Sequence, residues 1–214
     1  MRIKIQSKAG DGFGKRGRKN LVNISWGGGM SKELTEKQRT VIGIFLLTVL
    51  GAFVGWVYEM IFYRIDLGYF IKRGHGFGPW LPIYASGAFA LILLVYKRKF
   101  HPAVLFFVSM IGSGVIEYAT GWVLYNLMGG VRLWDYNVEI WNWGNIDGFV
   151  CARSVLIFGV FGMVYGAWII PRFMDWIKKV KARPLVIFSA ILAVLVFADV
   201  IFGYIIMPIK NGGL

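Results

Sequence analysis

Four ionisable side chains stand inside long apolar stretches of this sequence: Glu59, Glu117, Arg153 and Asp199. Near the centre of a membrane-crossing helix each would cost about 2.5–3.5 kcal/mol, so such groups turn inward and need a partner or a watery cavity. Buried carboxylates of this kind can bind an ion or substrate, or pass protons. They can equally form a polar knot that fixes helix register, and Asp199 invites that reading, since it lies near a helix end within reach of water. Metal and nucleophile chemistry find less support. His75 and His101 are the only histidines, and neither has a second ligand at metal-site spacing. Cys151 is the single cysteine, which excludes an intramolecular disulfide. Ser154 follows Arg153 but has no histidine or lysine neighbour to activate it. The sequence therefore assigns no catalytic residue, no metal and no cofactor.

The elements that position these side chains follow from composition. Of 214 residues, 57% are hydrophobic and 16% charged, whereas a soluble domain is nearer half and a quarter. The net charge of +13 suggests nucleic acid at first sight, but the mean hydropathy of +0.60 argues against a soluble basic binder. About 20 apolar residues cross the hydrocarbon core, and stretches 40–63, 81–96, 102–127, 151–170 and 185–206 qualify, the second being short. The fold class expected is an all-α helical membrane bundle, because an open sheet would leave backbone groups unsatisfied in lipid. Gly51-x3-Gly55 and Gly162-x3-Gly166 are spaced for close helix contact.

Residues 1–39 differ from the rest and read as a basic, disordered leader. Trp26-Gly27-Gly28-Gly29 would be encoded by G-rich codons, which suggests Met30 as the natural start. With the N-terminus in the cytoplasm, segments 1–39, 97–101 and 171–184 hold 18 Lys/Arg against 5 in 64–80, 128–150 and 207–214. Such an excess marks the cytoplasmic side. The 171–184 stretch places Phe173, Trp176, Ile177 and Val180 at helical spacing beside basic residues, as an interfacial helix would.

In this orientation the four ionisable residues fall in the outer half of the bilayer, where Glu59, Arg153 and Glu117 can form one cluster. Two loops share that side. Residues 72–84 hold three glycines and two prolines and cannot form a continuous helix; they form either a re-entrant segment or a surface loop. Residues 128–150 are rich in Trp, and Asp135 and Asn145 are placed to cap helix ends or to order the loop over the cluster.

One ordered set of motifs runs through these segments. It comprises Gly55-Trp56-x2-Glu59, then Arg73-Gly74-x3-Gly78-Pro79-x2-Pro82-Ile83-Tyr84, then Glu117-Tyr118-x2-Gly121-Trp122. Trp134-Asp135-Tyr136 and Asn145-x2-Gly148-x-Val150-Cys151 complete it. Over about residues 40–170 the chain resembles the bacterial membrane family labelled putative ABC-transporter type IV. The family often has Ser after Trp-Asp-Tyr and a basic residue after the later Gly. Asn137 and Phe149 stand there instead, which weakens the case for an anion contact through the loop. The resemblance implies a permease-like transport subunit of a bacterial plasma membrane. The chain has no G-x4-G-K-[ST] phosphate loop, so ATP hydrolysis would lie in a separate subunit docked near 97–101 and 171–184. Five spans are few for a permease, and a homo-oligomer is expected; nucleic acid is not.

Overall fold

The computed structural model describes residues 33–206 apart from His75. Met30, most of the leader and the 207–214 tail lie outside the described residues. The first helix, α1 (Glu36–Leu67), begins inside the segment read as leader. Thr35 starts it with a reciprocal cap: its hydroxyl accepts from the Gln38 N–H at 3.2 Å, and its own N–H donates to the Gln38 side chain at 2.9 Å. Gly68 ends it at φ +79°, where a side chain would be strained. With 32 residues, α1 is longer than the hydrocarbon core requires.

α2 (Pro82–Val95) has only 14 residues and starts at a proline whose missing N–H costs nothing at that position. It returns beside α1, with Gly51 against Ala88 and Gly55 against the ring of Tyr84. α3 (Pro102–Leu127) is capped by His101, whose Nδ1 accepts from the Ala103 N–H at 3.2 Å. α4 (Ala152–Val164) passes through a π-helical turn, Tyr165–Ile169, into α5 (Ile170–Lys179). The wider turn lets Ile170 bond back to the Tyr165 carbonyl and accommodates Pro171 inside an otherwise unbroken helix. Gly159 and Gly162 bring α4 against Phe106 and Ser109 of α3, and Gly166 brings the turn against Leu105. α6 (Ala182–Ile201) runs back and ends in a second π-helical turn, Phe202–Ile206.

Among the described residues, four helical rods are long and apolar enough to cross a membrane: α1, α3, α4 continued through α5, and α6. α2 is the shorter apolar fifth. Val115 and Ile116 of α3 and Val194 and Phe197 of α6 are exposed, as lipid-facing side chains are. The inner core joins Leu47, Ile92, Leu105, Tyr165 and Ile170, drawn from four helices and the turn between α4 and α5. The 171–184 segment differs from expectation. It does not form a separate amphipathic helix through Arg183, because α5 continues α4 and stops at Lys179. Its Ile177 is buried with Leu46 and Leu185, and Arg39 donates to the Ile177 and Val180 carbonyls at 2.8 and 2.7 Å. Ile177 is thus covered by protein, while Trp176 on the same helix stays 54% exposed.

Candidate functional site

The helices leave two different ends. Arg39, Lys178, Lys181 and Arg183 gather at the basic end, while 69–81 and 128–151 close the other, the loop end. Glu117 on α3 points into the loop end and is buried. One carboxylate oxygen accepts from the Tyr136 hydroxyl at 2.8 Å and the other from the Ser154 hydroxyl at 2.8 Å. Ser154 also lies 3.1 Å from the Cys151 carbonyl, and its single hydroxyl proton can serve only one of the two acceptors at a time. Close packing makes this reach possible: Gly121 of α3 sits under Phe149 and Gly114 under Val155. Burial, and after it the charge of Glu117, push the Tyr136 hydroxyl far above the usual phenol range, so Tyr136 acts as a donor.

Arg153, in the first turn of α4, is 5% exposed. Its Nη2 meets Glu139 at 2.6 Å, and both side chains are 6% exposed. The guanidinium lies over the Phe62 ring, 4.0 Å from its centroid, and the second Glu139 oxygen accepts from the Tyr63 hydroxyl at 2.7 Å. Arg153 Nε and Nη1 are buried without a hydrogen-bond partner among the described residues. Glu59 pairs instead with Arg73 at 2.6 Å, and that guanidinium stacks 4.1 Å from the centre of Tyr63. Burial works to lower the Arg73 pKa, but the Glu59 carboxylate outweighs it and the net shift is upward.

Within the expected Glu59–Arg153–Glu117 cluster, whose mutual contacts the sequence left open, the structure forms two ion pairs and a hydroxyl-held carboxylate. The loops bring their own counter-charges, Arg73 and Glu139, and these reach the helices first. Asp199 departs from expectation. Near the end of α6 it is 2% exposed, with no access to water. One oxygen accepts from the backbone N–H groups of Phe77 and, at 2.9 Å, Gly78; the other accepts from the Trp80 indole at 2.7 Å. Gly76 is required there, since a Cβ would land on the Asp199 carboxylate.

That staple explains the 72–84 segment. It has no helix before Pro82, and Leu81 donates to the Ala52 carbonyl, midway along α1, at 3.3 Å. The loop thus dips to the depth of the α1 midpoint, where irregular backbone is stable only when protein covers it. Gly74 takes φ +86°, Gly78 lies against the Trp80 ring, Pro79 precedes it, Pro82 opens α2, and Tyr84 fills the space left by Gly55.

The other loop is a rigid cover. Trp134 donates to the Phe149 carbonyl at 2.8 Å, and Asp135 accepts from the Asn137 backbone at 3.0 Å and from Arg132 at 3.3 Å. The Asn145 side chain accepts from the Gly148 N–H at 2.9 Å and donates to Asn137 at 2.7 Å. Gly148, at φ +76°, hands its carbonyl to the Tyr136 N–H at 3.1 Å. Asp135 and Asn145 thus order the loop; the cap of α4 is Cys151, whose sulfur faces the Ser154 N–H. Phe149 carries Arg132 over its ring at 4.8 Å, so a basic group is held here from another position.

Sequence reasoning missed Glu139 and Tyr63 and left Ser154 without a partner. Glu139 sits between Val138 and Ile140 in an aromatic-rich loop, where a carboxylate signals nothing; its alternation of polar and apolar neighbours was the one available hint. Among the described residues, no group of three or more His, Cys, Asp or Glu is placed to hold a metal ion. No curated protein and no solved structure matches the chain significantly. A family model does match, over residues 46–204, a stretch that includes both loops and all four intramembrane ionisable residues. The chain belongs to the membrane-protein family described as Putative ABC-transporter type IV.

Proposed function

We propose that this chain is a multi-pass transport subunit of a bacterial plasma membrane, with its basic end in the cytoplasm, and that the polar layer at its loop end handles the solute or its coupling ion. Glu117 carries the reading. It is buried in a membrane helix, yet both of its oxygens are met by neutral hydroxyls and neither by a cation. A carboxylate kept only for rigidity is best matched by a counter-charge, as Glu59 is by Arg73 and Glu139 by Arg153. Glu117 and the unpartnered edge of Arg153 retain capacity for a further charged or polar ligand. The transporter family supports the same reading. The chain itself is not an enzyme in this proposal. A separate ATP-binding subunit docks at the basic end, near 97–101 and the turn between α5 and α6, and two or more copies assemble in the membrane.

The test is complementation of a deletion in the native host, with protein level and melting temperature measured in parallel. Glu117→Gln and Arg153→Lys should fold normally and fail to restore the phenotype. A second reading, a non-transporting envelope protein with a structural knot, draws on the fact that each carboxylate here already has a donor. Under it, lost activity tracks lost thermal stability and no nucleotide-binding subunit copurifies.

A further inference from the structure

The side of the bundle between α1 and α6 carries a groove that no part of the described chain fills. Its volume is about 480 Å³, and its lining is apolar throughout. Leu50 and Phe53 of α1 form one wall and Phe188 and Leu192 of α6 the other. Trp80, from the loop that Asp199 staples, closes the far end, while Val180 and Pro184 stand at the mouth. The volume falls in the range of about 300–1,000 Å³ typical of small-molecule sites.

No charged residue lines the groove; Asp199 lies behind Trp80 at the far end, and Asp175, next to Trp176, is paired with Lys178 at 2.9 Å. Lys181 and Arg183 flank the mouth in the sequence; both are exposed, and neither forms an ion pair among the described residues. Lys179 adds a third exposed cation on the last turn of α5. Trp176 lines the groove near this end and is 54% exposed, the placement of an aromatic at the headgroup level. In lipid, α6 gains nothing hydrophobic by closing onto α1, because a lipid tail is as apolar as leucine. An apolar cleft with a cationic mouth at the membrane surface matches the two halves of an anionic lipid.

We propose that this groove binds an anionic phospholipid, with one acyl chain between α1 and α6, its phosphate against Lys181 and Arg183, and the chain terminus against Trp80. The bound lipid then touches the same indole that Asp199 holds, so occupancy steadies the loop between α1 and α2. This holds whichever reading of the polar layer is correct.

The full chain, purified in mild detergent, is titrated with phosphatidylglycerol or with phosphatidylcholine of the same acyl chains. Bound lipid is read by native mass spectrometry and stability by melting temperature. Phosphatidylglycerol should remain bound and raise the melting temperature more than phosphatidylcholine does. Lys181→Gln with Arg183→Gln should lose about tenfold or more of that preference and keep the lipid-free melting temperature. Leu192→Trp should reduce retention of both lipids. If that variant fails to fold, the charge variant decides alone. Equal retention of the two lipids, or an unchanged preference in the charge variant, overturns the proposal. Efficient copy-to-copy cross-linking through Phe188→Cys also overturns it, because a second copy would then occupy the groove.

Discussion

Arg153 meets Glu139 at 2.6 Å while two nitrogens of the same guanidinium stay buried without a hydrogen-bond partner among the described residues. The pair links the first turn of α4 to the 128–151 loop, and the Phe62 face supplies part of the missing solvation. Removing one member of a buried pair strands the other charge and costs about 3–5 kcal/mol. Glu139→Ala should therefore lower the melting temperature sharply. Glu139→Leu combined with Arg153→Met should recover most of the loss, because an apolar pair strands no charge. A double variant no more stable than Glu139→Ala would show that the pair has been misread.

Asp199 controls the loop between α1 and α2 through three donors. Asp199→Ala leaves two part-buried backbone N–H groups and an indole N–H without their acceptor, a loss of about 1–3 kcal/mol. Amide hydrogen exchange should accelerate over residues 76–81 and remain slow in α3. Uniform acceleration across both regions would mean that Asp199 stabilises the whole bundle instead.

Tyr136 sets a pH dependence. Its folded pKa is raised above the ordinary value of 10, so its contribution is fully present below pH 10 and fades as pH rises toward the folded value. At pH 7, Tyr136→Phe should be the less stable protein, having lost the bond to Glu117. The gap in melting temperature between the two should narrow above about pH 10. A constant gap from pH 7 to pH 11 would contradict the donor role.

Gly162 tests the helix contacts. A Cβ there would sit 1.9 Å from the Ser109 hydroxyl oxygen, whereas one on Gly87 meets nothing within 4 Å. Gly162→Ala should cost about 1–3 kcal/mol through overpacking, and adding Ser109→Gly should restore much of it. Gly87→Ala should be neutral or mildly stabilising. Equal responses from Gly162 and Gly87 would remove the case for close packing between α3 and α4.

The sequence was most informative where burial is expensive. A charge inside an apolar run costs enough to announce itself, so Glu59, Glu117, Arg153 and Asp199 could be read without a structure. Their partners could not. Arg73 and Glu139 stand in loops where a charge is ordinary, and only the tertiary fold carries them back onto the helices. Linear position also misled for Asp199: nearness to the end of α6 suggested water, but the 72–81 loop descends over it and removes it from solvent. The presence and order of the long helices were legible from hydropathy, but only α3 kept its expected limits, since α1 runs from Glu36 to Leu67 where 40–63 was expected. The fusion of α4 with α5 was not legible, because Pro171 reads as a break unless the π-helical turn before it is known.

α2 has one further consequence. At about 1.5 Å per residue, its 14 residues span about 21 Å, short of the roughly 30 Å hydrocarbon layer. Ile83, Phe89 and Leu93 nevertheless present apolar surface outward along that short rod. Lipid beside α2 must compress while lipid beside α3 and α6 does not, giving the protein an uneven hydrophobic perimeter. Such mismatch is relieved by local thinning or by tilt. The elastic state of the surrounding bilayer, and hence its acyl-chain length, then bears on the helix next to the stapled loop.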